Sequence, residues 1–244
     1  MTAGPLALVG SGEYLPLMAD VERMLLSGRA PRYVQIPTAA APEGADSLRR
    51  WLRLGAEQAS RLGVEQVPVM IRDREEAESP ALAGLMAGAG LIYLSGGSPG
   101  FLARTLRGTR AWAAVLSAWQ SGSALAGCSA GAMALTGWVP SIRSLDRDPD
   151  PGLAVLTWLR VIPHFDKMLG WAPGLLTKAT TQLTEDPEAG STTVIGIDED
   201  TAIVDMSGAG RTWQVYGRQQ AWVIADGQRR GWPAGTTLTT PPQD

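Results

Sequence analysis

The sequence is poor in the residues on which most polar chemistry depends. Its 244 residues include one cysteine, Cys128, and one histidine, His164. A single cysteine excludes an intrachain disulfide and the usual structural zinc sites, and it fits a reducing compartment. A single histidine excludes any metal site with two histidine ligands, so histidine chemistry must pass through His164. Charged residues make up only 18% of the chain, which argues against intrinsic disorder. The net charge is −3 and no basic stripe is visible, so nucleic acid is not an expected partner. No apolar run approaches membrane-spanning length, and Met1-Thr2-Ala3-Gly4-Pro5 has no basic region before an apolar one. The expectation is a soluble cytoplasmic protein with no membrane partner.

Hydrophobic residues make up 45% of the chain, enough to bury a large core. Neither an internal repeat nor a linker divides the chain, so residues 1–244 are expected to form one domain. Leu6–Val9, Arg32–Ile36, Val67–Ile71, Leu91–Leu94 and Ala124–Ala126 read as short strands. Between them, Ser47–Leu62, Ser79–Met86, Pro99–Leu106 and Arg110–Ser121 read as helices. This alternation implies an α/β fold, a mostly parallel sheet flanked by helices on both faces. After about residue 190 the pattern changes to strands joined by glycine turns: Thr192–Ile197, Thr201–Val204, Gln214–Tyr216 and Ala221–Ile224. These predict an antiparallel C-terminal extension. Ser141–Pro151 is polar, carries Asp146, Asp148 and Asp150, and reads as a loop.

The sharpest signal is Gly127-Cys128-Ser129-Ala130-Gly131, a Gly-x-Ser-x-Gly between a predicted strand and a predicted helix over Ala130–Leu135. Small neighbours permit a sharp reversal that exposes the serine near the positive end of the helix. The Ala130 N–H can then face a developing oxyanion. An ordinary small-residue turn would look the same. Ser95-Gly96-Gly97-Ser98-Pro99 follows the neighbouring strand, at the sheet edge where ligands bind, and Gly97 could donate a second N–H. A plain strand-to-helix turn fits it equally. Serine needs an adjacent base, and His164, at the end of the apolar run Val161-Ile162-Pro163, is the one histidine that could serve. A third, orienting carboxylate could come from Asp198-Glu199-Asp200 or from Asp146, Asp148 and Asp150. Gly10-Ser11-Gly12 lacks the third glycine of a dinucleotide loop, since position 15 is Leu15, so no cofactor is expected.

Together these segments resemble the dipeptidase E and cyanophycinase family of serine peptidases. The resemblance rests on Gly127–Ala132, Ser95-Gly96-Gly97, Pro163-His164-Phe165 and Gly196–Ala202. Val9–Glu13 and Ile36–Ala40 add to it. It implies a single domain like class I glutamine amidotransferase domains, with serine where those carry cysteine. It also implies a triad of Ser129, His164 and Glu199, and hydrolysis of short peptides or of β-linked aspartyl–arginine units. Gly96, Ser98 and Lys178 are then candidate substrate contacts, and a homodimer is an open expectation. The sequence departs from the family in two places. Asp166–Leu183 contains Lys167 and Lys178 but no arginine, and the glycine turn is followed by Ser98 rather than Asn or Asp. Both bear on the substrate. An esterase or amidase using the same triad, and a non-catalytic small-molecule-binding module, are the competing expectations.

Overall fold

A computed structural model describes residues 3–139, 150–171, 192–225 and 228–240. Strands β1 (Leu6–Val9), β2 (Arg32–Ile36), β3 (Glu65–Pro68), β4 (Leu91–Leu94) and β5 (Ala124–Cys128) lie parallel in the order β1-β5-β4-β2-β3. Helices α1 (Ala19–Leu26), α2 (Ala45–Leu62), α3 (Arg74–Ala77), α4 (Pro80–Gly84), α5 (Pro99–Leu106) and α6 (Arg110–Gln120) connect them. Leu6, Leu8, Val34, Ile92 and Leu125 pack with Leu102, Leu106 and Trp112 of α5 and α6. Their neighbours Ala7, Val9, Tyr33, Tyr93 and Ala126 pack on the opposite face with Val21 and Leu25 of α1 and Ala59 of α2. Burial of both faces is why these strands read as unbroken apolar runs.

Beyond β5 come α7 (Ala130–Ala134), the short antiparallel pair β6 (Trp138–Val139) and β7 (Asp150–Pro151), β8 (Leu159–Pro163) and α8 (Phe165–Trp171). The remaining strands are β9 (Thr193–Ile197), β10 (Thr201–Asp205), β11 (Thr212–Gly217), β12 (Gln220–Ala225), β13 (Gln228–Pro233) and β14 (Thr237–Thr239). Strands β10, β11 and β14 extend the first sheet beside β1, all antiparallel. A second sheet has the order β13-β12-β9-β8. Its β8–β9 pair is parallel rather than antiparallel, and α8 follows β8 directly.

Several boundaries differ from the sequence expectations. The third strand covers Glu65–Pro68, not Val67–Ile71. Val67, Val69 and Ile71 are all buried, so their alternation reports burial, while backbone pairing with β2 defines the strand. Within the predicted loop Ser141–Pro151, Asp150 and Pro151 form β7, and the rest of that loop lies outside the described residues. The α1 helix, β13 and β14 carried no clear sequence signal. The register Val9↔Cys128 and Leu94↔Gly127 brings the carboxyl ends of β1, β5 and β4 together. The loops that follow these strands therefore converge at one edge.

Candidate active site

The turn after β5 is strained. Ser129 sits at φ 49° and ψ −108°, outside the conformations favoured by non-glycine residues. Its N–H donates to Val9 O at 2.9 Å, pinning the turn to β1. Both glycines are required by contact. A Cβ on Gly127 would lie 2.5 Å from Gly131 C, and one on Gly131 would lie 2.3 Å from Leu94 O. The motif thus lets α7 start tight against β4 and β5, leaving the Ser129 side chain partly exposed at the sheet edge.

His164 follows β8 at φ 51°. Phe165, which follows it, is fully buried, with its ring centroid 5.7 Å from that of Trp222. A Cβ at Gly196 would strike the Phe165 ring at 2.6 Å. Phe165 therefore anchors the corner, and the imidazole beside it lies between Ser129 and Glu199. His164 Nε2 lies 2.9 Å from Ser129 Oγ, and His164 Nδ1 lies 3.1 Å from Glu199 Oε1.

The three consecutive acids separate at the corner where β9 of the second sheet passes to β10 of the first. Asp198 is buried and accepts from Trp222 Nε1 at 2.9 Å; burial raises its pKa. Asp200, at φ 54°, accepts from Arg218 at 3.4 Å. Glu199 alone of the three faces the imidazole. Asp150 pairs with Arg104 instead, and Asp146 and Asp148 lie outside the described residues. The Gly10-Ser11-Gly12 turn seats this acidic corner. A Cβ on Gly10 would lie 2.2 Å from Asp198 O, and the Asp200 N–H donates to Ser11 Oγ at 3.2 Å.

Asp166 Oδ1 accepts the Glu199 N–H at 2.8 Å. Gln219 Nε2 reaches both Asp166 Oδ2, at 3.2 Å, and Glu199 O, at 3.0 Å. Lys167 Nζ lies 3.6 Å from Glu199 Oε2. The carboxylate facing His164 is therefore held from its backbone and from its second oxygen.

Gly96, Gly97 and Ser98 follow β4 beside the Ser129 turn; a Cβ on Gly96 would lie 3.6 Å from Ser129 Cβ. Gly97 adopts φ 135°, and a Cβ there would lie 2.4 Å from Ala39 O, so only glycine fits. Among the described residues, neither the Gly97 N–H nor the Ala130 N–H is bonded to a protein acceptor. Lys178 lies outside the described residues.

A family model described as peptidase family S51 matches residues 6–209. The chain belongs to peptidase family S51. It is therefore a hydrolase of peptidase type. A crystal structure of a peptidase from an acI-B1 Actinobacterium is 40% identical, covers 98% of each chain and superposes with a TM-score of 0.88. A candidate peptidase E protein from Listeria monocytogenes EGD-e shares the fold at 17% identity. It has a TM-score of 0.60 and covers 88% of this chain and 98% of its own. No curated protein matches.

In this S51 family member, two further residues at the site escaped sequence reasoning. Gln219 carried no signal, because its reach to Asp166 depends on how β11 and β12 pass the corner. Glu13 did carry one, being an acid just past the carboxyl end of a parallel strand. Its Oε1 accepts the Gly96 N–H at 3.0 Å, and its Oε2 accepts from Cys128 Sγ at 2.8 Å. Burial, reinforced by Glu13, pushes the Cys128 thiol well above its usual range, so it stays protonated beside Ser129.

Proposed function

We propose that the protein is a serine peptidase hydrolysing short peptides through an acyl-enzyme on Ser129. The observation that carries this reading is the continuous contact from Ser129 Oγ to His164 Nε2 and from His164 Nδ1 to Glu199 Oε1. A carboxylate accepts from Nδ1–H, which leaves the lone pair on Nε2 free to take the serine proton. As Ser129 Oγ attacks the scissile carbonyl, His164 becomes an imidazolium and Glu199 stabilises it. The Gly97 and Ala130 N–H groups hold the oxyanion. His164 then passes the proton to the leaving amine, and water releases the acyl group by the same route in reverse.

The short-peptide reading draws on the resemblance to dipeptidase E. Broad acyl-side specificity is favoured because Lys167, the one cation in Asp166–Trp171, lies beside Glu199 rather than being offered to substrate. Among the described residues no helix is long and apolar enough to cross a membrane. A single cysteine, which can form no intrachain disulfide, fits a reducing compartment such as the cytoplasm. The test is a dipeptide and tripeptide library assayed for released amine, together with a fluorophosphonate probe. Wild type should release amine and take the label, and Ser129→Ala should do neither while keeping its thermal transition. A labelled Ser129→Ala protein would overturn the assignment.

A further inference from the structure

The acid and the base of the site come from neighbouring strands. Pro163 of β8 pairs with Ile197 of β9, so His164 and the acidic corner leave the second sheet side by side. At that corner each backbone N–H finds its acceptor on a different element. That of Asp198 donates to Gln220 O at 3.2 Å, that of Asp200 to Ser11 Oγ at 3.2 Å, and that of Glu199 to Asp166 Oδ1 at 2.8 Å. Of these acceptors only Asp166 is a carboxylate, and only Asp166 lies on the segment that carries the base, just past His164. Asp166 is itself held, because Gln219 Nε2 donates to its Oδ2 at 3.2 Å while also reaching Glu199 O at 3.0 Å.

An acid in the first turn of a helix commonly serves that helix, by satisfying its free N–H groups or its dipole. Asp166 sits in the first turn of α8, yet both its oxygens accept from groups outside α8: one at the acidic corner and one in the turn between β11 and β12. The Glu199 N–H belongs to no strand ladder, so a shift of its backbone would carry directly to the 3.1 Å contact with His164 Nδ1. We propose that Asp166, oriented by Gln219, is a positioning residue: its hydrogen bond to the Glu199 N–H fixes the acid relative to the base, so that the pair is aligned before substrate arrives. This rests on the triad reading above. A group that acts only by aligning acid and base affects turnover rather than substrate affinity, and a misplacement of about 1 Å costs on the order of a hundredfold in rate.

The test measures Ala-Ala hydrolysis by variants whose thermal transitions match that of wild type. Asp166→Ala should lower kcat about a hundredfold and leave KM within about threefold. Asp166→Asn, which keeps an oxygen for the Glu199 N–H, should return kcat to within about tenfold of wild type. Glu199→Gln already lacks the carboxylate being positioned, so adding Asp166→Ala to it should cost less than about threefold more. Unchanged kcat in Asp166→Ala would overturn the proposal. So would an Asp166→Asn enzyme as slow as Asp166→Ala. A further loss of about a hundredfold in the Glu199→Gln background would overturn it too, because Asp166 would then act by a route other than Glu199. If Asp166→Ala does not fold, the exposed Gln219 supplies the test. Gln219→Ala should lower kcat at least about threefold with KM unchanged, and wild-type kcat there would overturn the proposal. Failure of the triad reading would look different: Ser129→Ala would retain turnover.

Discussion

Glu22 makes a sharp prediction about stability. It lies on α1, is 1% exposed, and accepts from Gln58 Nε2 at 2.8 Å, while its second oxygen has no hydrogen-bond partner. Burial raises its pKa from the ordinary 4.5 to about 8, outweighing Gln58, Tyr33 and Arg61, which favour the charged form; Glu13 adds slightly to the rise. A carboxyl whose pKa is higher folded than unfolded contributes its full stability below the unfolded value and loses it as pH rises through the folded value. Well inside that window each pH unit costs about 1.4 kcal/mol, and the slope is only half as steep at either end, so raising the pH from about 4.5 to about 8 removes on the order of 4 kcal/mol. Glu22→Gln replaces the protonated carboxyl with an isosteric amide that still accepts from Gln58 and never ionises. The assay is urea unfolding of both proteins at half-unit steps from pH 5 to pH 9. Wild type should lose stability steadily up to about pH 8, and the variant should lose much less and overtake it at the alkaline end. Parallel stability curves would show that Glu22 ionises in the fold without penalty, and the reasoning would fail.

Other expectations concern the site. Glu199→Gln should lower kcat by about 10³- to 10⁴-fold with little change in KM, because the imidazole loses both its orientation and its stabilised cation; steady-state kinetics would show this. Cys128→Ala should still take the fluorophosphonate label, since the thiol is buried and protonated; an unlabelled but folded variant would move the nucleophile to Cys128. Asp-X, Ala-X and Gly-X dipeptides should have kcat/KM values within about a hundredfold of one another, roughly 2.7 kcal/mol. A larger preference for Asp-X would reveal a cation serving the acyl side chain.

The strand–turn–helix around Ser129 was legible in the sequence because its requirements are local. Gly127 and Gly131 are spaced for a reversal too tight for any other residue, and the flanking apolar runs mark the strand and helix. The parallel direction of the first five strands followed from their alternation with helices, whereas their order in the sheet did not. Val67–Ile71 misled because apolar alternation records which side chains are buried, whereas the strand is defined by backbone pairing that begins at Glu65.

The single histidine limited any histidine base to His164 without reference to geometry. By themselves, the residues left the acid open, because three adjacent carboxylates at a turn differ only in direction. That direction is decided by tertiary packing. Because β9 and β10 belong to different sheets, the chain bends sharply across residues 198–200, sending Asp198 to Trp222, Asp200 towards Arg218 and Glu199 to His164. The same holds for Gln219 and Glu13, which are distant in sequence from the groups they touch and meet them only once the sheet edges are assembled. Sequence encodes what neighbouring residues impose on one another. The orientation of one side chain towards another far along the chain exists only after the sheets have closed around it.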